Sequence, residues 1–334
     1  MKKNSYHFRK TLSVLSGLVF LFFLLSLSLG PSDLTIFDFW SLGETKKNDT
    51  TWLIFFEIRL PRAILGLAVG ISLGLAGAAL QGYLRNPLAE PGIIGVSTSA
   101  SLFTVIIFYS GLSAGFALLM PFAGILGATS AVLILQSLAG RNASALTVVL
   151  AGVAISSFSS ALISLALNFS ANPFATYEIV FWLLGSVADR GLDQVAIALP
   201  FMAVGWALLL WSGNPLEALT LGEEEAASLG YKLSRVRAQL VFGTALAVGS
   251  ATSITGTIGF VGLVVPHLLR PFVGNRPKLL LSASALGGAA LVLTADIAVR
   301  LLPFKQELKL GVITALIGAP FFLLLIIKHR RSVL

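Results

Sequence analysis

Charged side chains are scarce in this sequence. Asp, Glu, Lys and Arg make up 11% of its 334 residues, whereas 56% are hydrophobic. A soluble domain carries about a quarter charged residues. The composition therefore excludes a chain of soluble domains and predicts an all-α, polytopic membrane protein. Cysteine is absent, which excludes disulfides and thiolate metal sites.

Catalytic motifs are missing as well. The three histidines, His7, His267 and His329, are scattered along the chain, and no HExxH, GxSxG or paired intramembrane aspartate occurs. A membrane-embedded enzyme would lack its reactive groups, so we predict neither a catalytic site nor a metal site. There is also no Walker A motif. If transport by this chain needs ATP, another chain hydrolyses it.

Uncharged apolar runs divide the sequence into ten predicted membrane spans. Residues 11–213 hold the first six, residues 214–237 form a polar insert, and residues 238–328 hold the last four. The spans are 11–30, 63–80, two within 92–140 that separate near 110–115, 146–167, 195–212, two within 238–265 of which the second ends at Pro266-His267, 279–299 and 310–327. Residues 31–58 are a polar segment, and Glu178–Val187 is apolar but short, which indicates a lid-like half helix.

The first run has a rival interpretation as a secretory signal peptide. The apolar region of such a peptide normally has about 7–15 residues and ends at a cleavage site with small residues. The run Thr11–Gly30 has 20 residues, and SLSLGPSD is a poor cleavage site. We therefore expect this run to be retained as a membrane span.

The basic residues predict the orientation of the chain. A net charge of +8 could indicate nucleic-acid binding, but most Lys and Arg residues lie in short loops beside apolar spans, so membrane topology explains them better. With the N-terminus inside, 15 basic residues lie on the inner side and 8 on the outer side. Both termini are therefore predicted to be cytoplasmic. The outer eight are Lys46, Lys47, Arg59, Arg62, Arg190, Arg300, Lys305 and Lys309.

An odd number of spans in each half would invert the second half relative to the first. Inverted repeats of this kind are common in transporters. Each predicted five-span half holds a glycine-rich helix followed by a connector broken by proline, at Asn86-Pro87 and at Val265-Pro266. The sequence thus predicts two inverted halves within a single transmembrane domain, residues 1–334.

Small residues form a stripe on the second span. Gly66, Gly70, Gly74, Ala78 and Gly82 recur at every fourth position, which on a helix lets another backbone approach closely. The span is preceded by RLPR, Arg59 to Arg62, and followed by QGYLRNPLAEPGIIGVS. Three of these glycines, Gly66, Gly70 and Gly74, together with Gln81, Asn86 and Pro87, are predicted to line a pathway or to pack. For Gln81 we favour an interhelical hydrogen bond.

Three further motifs follow in order along the chain. They are GEEEAASLG at 222–230, GTIGFVGLVVPHLLRPFVG at 256–274, and ADIAVR at 295–300 followed by ELKLG at 307–311. With the stripe and its flanks, they make the chain resemble the FecCD, or BtuC-like, family of permease subunits in binding-protein-dependent ABC importers. Two positions depart from the family pattern: Val299 replaces an alanine, and Lys309 replaces a proline.

The resemblance implies the partners and the cargo. A family member transports a ferric siderophore, haem or vitamin B12 across the bacterial cytoplasmic membrane. It works with a second permease subunit, two ATP-binding subunits that use ATP and magnesium, and an extracytoplasmic substrate-binding protein. For this chain we expect a ferric siderophore, with haem or vitamin B12 as the alternative. No cofactor of its own and no nucleic acid are expected, and membrane lipid surrounds it.

The resemblance also assigns roles to particular residues. Arg59 and Arg300 would dock the substrate-binding protein. In the insert, two short helices meeting near Gly222 would couple to the ATPase. The residues that match this coupling motif are Gly222, Glu223, Ala226, Leu229 and Gly230.

The residues themselves allow other interpretations of these sites. Arg59 could be an interfacial arginine that snorkels to the lipid headgroups. Asp296 and Arg300 could form a local i,i+4 ion pair, and Arg62 is more plausibly structural. The insert could equally be an amphipathic surface helix.

Ion-coupled secondary transport is the remote alternative. Such proteins usually place ionisable residues near mid-membrane, and the mid-depth positions of all predicted spans are uncharged. The sequence therefore predicts transport that needs no proton or sodium gradient.

Overall fold

The computed structural model describes residues 2–30, 50–112, 119–140, 144–170, 172–303 and 307–333. All regular structure within these ranges is helical. We number the helices α1 (Lys2–Ser28), α2 (Thr50–Leu84), α3 (Val96–Tyr109), α4 (Leu119–Ala139), α5 (Ala145–Asn168), α6 (Pro173–Leu183), α7 (Leu192–Trp211), α8 (Gly213–Leu219), α9 (Glu223–Ser228), α10 (Leu233–Thr255), α11 (Val261–Val273), α12 (Pro277–Leu301) and α13 (Leu310–Val333).

Seven of the described helices are long and apolar enough to cross a membrane: α1, α2, α4, α5, α7, α10 and α12. Three shorter apolar helices are α3, α11 and the Leu310–Leu324 part of α13. Each predicted span coincides with one of these helices, so the all-α, multi-pass fold is confirmed. The number of ten crossings, the inverted halves and the position of the termini stay predictions.

Helix α2 lies at the centre of the bundle. More of it is buried than of any other long helix. It packs most extensively against α12 and also contacts α11, α7 and α1. We call the end of the bundle with the C-terminus of α1 the outer end and the end with α8 and α9 the inner end, following the predicted topology.

The start of α2 corrects the sequence-based boundary. Residues 50–58 were assigned to a polar segment, but the helix already begins at Thr50. Pro61 does not start it because a π-helical segment, Ile54–Arg59, precedes the proline. The backbone N–H of Leu60 bonds to the carbonyl of Phe55, five residues back. This wider turn lets the chain pass a proline that would disrupt a regular α-helix.

Helix α11 also differs from the prediction that it ends at Pro266-His267. It continues through Pro266 and Pro271 to Val273. A proline inside a helix leaves the carbonyl four residues earlier without its donor. In α11 that carbonyl belongs to Gly262, and the side chain of Gln81 bonds to it.

Two further boundaries shift by a few residues. The half helix α6 begins at Pro173, ahead of the predicted Glu178, and it ends before Gly185, which has a φ of 78°. Helix α10 begins at Leu233, so the final residues of the predicted insert already belong to a long helix.

Candidate functional site

The glycine stripe of α2 forms a close backbone contact with α12. A Cβ at Gly70 would lie 2.5 Å from Cα of Ala289, and one at Gly74 would overlap the carbonyl oxygen of Ser284. From the other side, a Cβ at Gly288 would overlap the carbonyl oxygen of Gly70. Gly66 meets the side chain of Leu293 in the same seam. Of the two roles left open for these glycines, the geometry supports packing, because their surfaces face another helix.

Gln81 joins α2 to α11 near the inner end of this seam. It is buried, and its Nε2 donates to the carbonyl oxygens of Gly262 at 3.2 Å and Leu263 at 3.3 Å. Its Oε1 accepts from Nη2 of Arg270 at 2.8 Å. The interhelical bond expected for Gln81 is thus present, and its main acceptor is the carbonyl that Pro266 leaves without a backbone donor.

Two arginines hold the C-terminal end of α1. Nη1 of Arg59 donates to the carbonyls of Leu27 and Ser28, both at 3.0 Å. Nη1 of Arg300 donates to the carbonyls of Ser26 at 2.8 Å and Leu29 at 3.0 Å. The last carbonyls of a helix have no partner within it and carry partial negative charge. The arginines therefore act as side-chain caps supplied by α2 and α12.

A charge cluster, buried except for Glu307, surrounds these caps. Nε of Arg62 donates to Oδ1 of Asp296 at 2.9 Å, and Nη2 of Arg300 pairs with Oδ2 of the same carboxylate at 2.5 Å. Arg62 also forms an ion pair with Glu307, just ahead of α13. We call Arg62, Asp296, Arg300 and Glu307 the outer charge cluster. The local pair between Asp296 and Arg300, which the sequence allowed as an alternative to docking, is present, and the contacts of Arg62 support a structural role for it.

The burial of the docking candidates bears on their proposed role. Arg59 is 4% exposed, and the side chain of Arg300 is 3% exposed. A protein that docked on either guanidinium would first have to displace the end of α1. Docking by Arg59 and Arg300 stays a prediction, and it now requires a rearrangement at the outer end.

The insert folds into two short helices at the inner end. Helix α8 continues from α7 with little interruption, and α9 begins after Gly222. Gly222 has a φ of 143° and Gly230 a φ of 90°, conformations that disfavour other residues. The predicted meeting point near Gly222 is therefore confirmed as a turn.

The coupling motif does not present all of its residues outward. Ala226, one of the residues that match the coupling motif, is fully buried within the permease and so is not exposed to a partner. Leu229 is 62% exposed, Glu223 is exposed, and a Cβ at Gly230 would meet nothing within 4 Å. Any contact with a partner is thus available to Glu223, Leu229 and Gly230, whereas Ala226 packs the insert against the bundle.

The connector after α2 is a local turn. Oδ1 of Asn86 accepts the backbone N–H of Leu88 at 2.9 Å, and its carbonyl accepts the N–H of Ala89 at 3.1 Å. Pro87 is exposed beside it. Burial raises the pKa of the neighbouring Glu90 carboxyl, and the backbone N–H of Phe260 works in the opposite direction by bonding to it. The connector is therefore tied to the start of α11.

A cavity of 420 Å³ lies beside α6 at the outer end. Its wall includes Trp182, whose indole N–H has no partner among the described residues, and Lys309. Arg190 also lines it, and burial lowers the pKa of this guanidinium while Asp189 raises it. Within the described ranges, no three His, Asp or Glu side chains come together as a metal site.

A scan against protein-family models matches residues 18–328 to the FecCD transport family. The chain belongs to this family. The match spans all helices from α1 to α13, which confirms the resemblance found in the motifs. As a FecCD protein, the chain is a multi-pass permease of the ABC-importer class in the cytoplasmic membrane.

Several relatives of this FecCD permease align over most of its length. The ABC transporter permease YvrB of Bacillus subtilis is 41% identical, over 84% of the chain and 80% of the relative. The vitamin B12 import permease BtuC of Vibrio cholerae is 37% identical over 99% and 98%. The hemin transport permease HmuU of Yersinia pestis is 34% identical over 93% and 95%.

A solved structure has the same fold. It is described as an inward-facing conformation of a metal-chelate type ABC transporter. It superposes with a TM-score of 0.82 at 31% identity, covering 96% of the chain and 99% of that structure.

Sequence reasoning missed the link from Arg62 to Glu307 and the role of Arg237. Arg237 is buried and donates to the carbonyl of Gly140, at the end of α4. The sequence placed Arg237 in a polar insert, where exposure is the ordinary expectation. For the first of these, the available signal was Glu307, an acid at the start of the ELKLG motif to which no partner was assigned.

Proposed function

We propose that this permease carries a ferric siderophore across the cytoplasmic membrane. It would do so with a second permease chain, two ATP-binding subunits and an extracytoplasmic substrate-binding protein. The observation that carries the proposal is similarity over nearly the whole chain to importers of metal chelates. Besides the solved metal-chelate type transporter, the Fe(3+)-citrate import permease YfmD of Bacillus subtilis is 34% identical over 97% of the chain.

Haem and vitamin B12 are the alternative cargoes. They are supported by the hemin permease HmuU and the vitamin B12 permease BtuC, whose identities to the chain equal or exceed that of YfmD. All three cargoes are bulky chelates that a substrate-binding protein delivers in the family this chain resembles. A direct comparison of the three cargoes is therefore needed to choose among them.

The distribution of charge supports an ATP-driven mechanism. Among the described residues, the acid classed as buried is Asp296, which Arg62 and Arg300 neutralise. Such paired groups are poor candidates for binding and releasing a driving ion. Glu90 is the acid on which an ion-coupled mechanism could rest, because burial raises its pKa.

The test is uptake by the full assembly reconstituted in proteoliposomes. A labelled ferric siderophore, hemin and cyanocobalamin are offered in parallel through the cognate binding protein, with ATP inside. We expect the siderophore to be transported and to stimulate ATP hydrolysis. If hemin or cyanocobalamin stimulates ATP hydrolysis and the siderophore does not, the cargo assignment is wrong and the permease role is kept.

The driving force is tested in the same vesicles. Ionophores collapse the proton and sodium gradients while ATP is held constant. Uptake should continue unchanged, and Glu90→Gln should also transport. If uptake stops with the gradients, and the Glu90→Gln variant is inactive even with gradients intact, the ion-coupled mechanism is correct.

Docking is tested by titrating the binding protein onto permease in nanodiscs across a salt series. Arg59→Glu should weaken binding and change its salt dependence, because a charge at the rim governs encounter and a desolvated pair holds the complex. Lys309→Gln, another basic residue of the predicted outer side, is the control. Unchanged affinity and salt slope for both Arg59→Glu and Arg300→Glu would leave these arginines with capping roles alone.

A further inference from the structure

A cavity of 290 Å³ lies at the inner end, between α2, α8, α11 and α12. This volume is near the lower limit of typical ligand pockets. Its wall is polar and contains two arginines. The polar side chains are Gln81, Arg85, Thr220, Arg270 and Asn275, of which Gln81 and Thr220 already donate to carbonyls of the chain. Pro277 also lines it and is the first residue of α12, so the positive end of that helix dipole lies at the wall.

The arginines of this cavity are not neutralised. Neither Arg85 nor Arg270 forms an ion pair with any acid in the described part of the chain, and Arg270 is only partly exposed. The acid on the neighbouring α8, Glu217, already has a partner. It accepts from Nε and Nη2 of Arg276 at 3.0 and 3.2 Å, and this contact raises the pKa of Arg276. Lys278 adds a further positive charge to this end of α12.

The position of the guanidinium of Arg270 is fixed in advance. Its Nη2 donates to Oε1 of Gln81 at 2.8 Å, and Gln81 is held in turn by the carbonyls of α11. Arg85 ends α2 in a left-handed conformation, with a φ of 47°. Arginines arranged around one cavity are suited to bidentate recognition of phosphate, and a preset position lowers the entropic cost of binding.

We propose that this cavity binds a phosphate group, with Arg85 and Arg270 as its principal ligands. The predicted topology puts the inner ends of α2, α11 and α12 at the cytoplasmic headgroup level, where anionic phospholipids attract basic pockets. A phospholipid headgroup and free phosphate share the chemistry that the site recognises. The test of this site requires no transport, so its outcome is distinguishable from that of the proposed function.

The lipid arm of the test uses the full-length permease in two kinds of nanodisc. One contains phosphatidylcholine alone, and the other contains phosphatidylcholine and phosphatidylglycerol in equal parts. The thermal unfolding midpoint and the lipids retained in native mass spectrometry are measured. We expect phosphatidylglycerol to raise the midpoint and to be retained, since a ligand that binds only the folded state stabilises it. Arg85→Gln should weaken this retention about tenfold or more, because it removes a charge-assisted contact.

The free-phosphate arm uses delipidated permease in detergent. Inorganic phosphate is titrated against chloride at equal ionic strength. A midpoint shift with phosphate that Arg85→Gln abolishes would identify free phosphate as a sufficient ligand. A shift seen only with phosphatidylglycerol would identify the lipid headgroup. Either result supports the site.

Controls separate the cavity from general surface charge. Arg235→Gln removes an exposed arginine from the inner end of α10, outside the cavity, and should bind like the wild type. Arg270→Lys keeps the charge but loses the planar fork, so it should bind phosphate more weakly while still folding. The proposal is overturned if neither ligand shifts the midpoint. It is equally overturned if Arg85→Gln and Arg235→Gln reduce binding to the same extent.

Discussion

Three arginines at the outer end of the bundle differ in environment from two arginines at the inner end. At the outer end, Arg59, Arg62 and Arg300 are buried, and each is engaged by a carboxylate or by carbonyls of α1. At the inner end, Arg85 and Arg235 are exposed, and no described acid pairs with them. Buried arginines with partners join elements of the same chain, whereas exposed arginines without partners remain available to other molecules.

This difference indicates where the permease can move without losing its fold. The outer charge cluster ties α2 and α12 to the chain entering α13, and the arginine caps add α1. A change there must break several buried interactions together. The inner helices α8 and α9 are short, and Leu221 and Leu229, which follow them, are exposed, so this part of the chain can change contacts at less cost.

The largest expected effect is at the centre of the outer charge cluster. Asp296→Asn removes the carboxylate that both Arg62 and Arg300 contact, leaving two buried positive charges less compensated. Breaking a buried ion pair from one side typically costs about 3–5 kcal/mol. The thermal unfolding midpoint in nanodiscs, followed by tryptophan fluorescence, should therefore fall sharply.

The matched control for Asp296→Asn is the exposed pair at the inner end. Arg276→Ala breaks the pair with Glu217 and should change the midpoint little, because solvent screens such pairs. Equal losses for Asp296→Asn and Arg276→Ala would remove the distinction between the two ends.

The second effect is in the seam that connects the ends. Gly74→Val places two methyl groups against the backbone of α12 at Ser284. Overpacking of this kind costs about 1–3 kcal/mol, and more when backbone must move. Gly17→Val on α1 is the control, since a Cβ there would meet nothing within 4 Å. The seam is not tightly packed if the two variants unfold at the same temperature.

The sequence was sufficient to predict the features that depend on local pattern. Uncharged runs located the membrane helices, because a segment that crosses lipid must satisfy its backbone polar groups within its own helix. The four-residue spacing from Gly66 to Gly74 correctly indicated a close helix contact. Gly222 correctly marked the turn between α8 and α9, since its φ of 143° is a property of glycine.

Features that depend on distant partners could not be predicted. From the sequence, Pro266 indicates a helix end. In the structure the helix continues, because the side chain of Gln81, far earlier in the chain, donates to the Gly262 carbonyl that Pro266 leaves free. Arg59 and Arg300 have the same sequence signature whether they cap α1 or face a docked protein. Ala226 is small in either case, and only the packing of α9 decides that it points inward.

A third prediction concerns the bond between Gln81 and Gly262. Gln81→Leu should cost about 1 kcal/mol, since interhelical bonds in membrane proteins contribute modestly and the carbonyl of Gly262 loses a donor. In a Pro266→Ala background the new backbone N–H can take over that carbonyl. The cost of Gln81→Leu should then be smaller. A double-mutant cycle on the unfolding midpoints measures the coupling, and strictly additive effects would contradict the compensation.

The smallest effect on folding is expected at Leu229, where the effect on function should be large. Leu229 is mostly exposed at the inner end, so Leu229→Glu should leave the free energy of unfolding within about 0.5 kcal/mol of the wild type. If α9 docks on the ATP-binding subunit, the charge should reduce co-purification of that subunit and ATP-driven uptake. Burying a leucine side chain contributes about 1.5–3 kcal/mol, so a loss of roughly tenfold or more in affinity follows.

Two other variants serve as controls for the Leu229 experiment. Leu301→Glu makes the same change at an exposed leucine of the outer end and should leave the ATP-binding subunit attached. Ala226→Trp on α9 should lower the unfolding midpoint, because a fully buried alanine leaves no space for an indole. Any loss of transport in this variant would therefore reflect a loss of stability. Normal uptake with Leu229→Glu, in a protein that still retains the ATP-binding subunit, would show that this end of α9 is a solvated surface and that coupling uses another part of the insert.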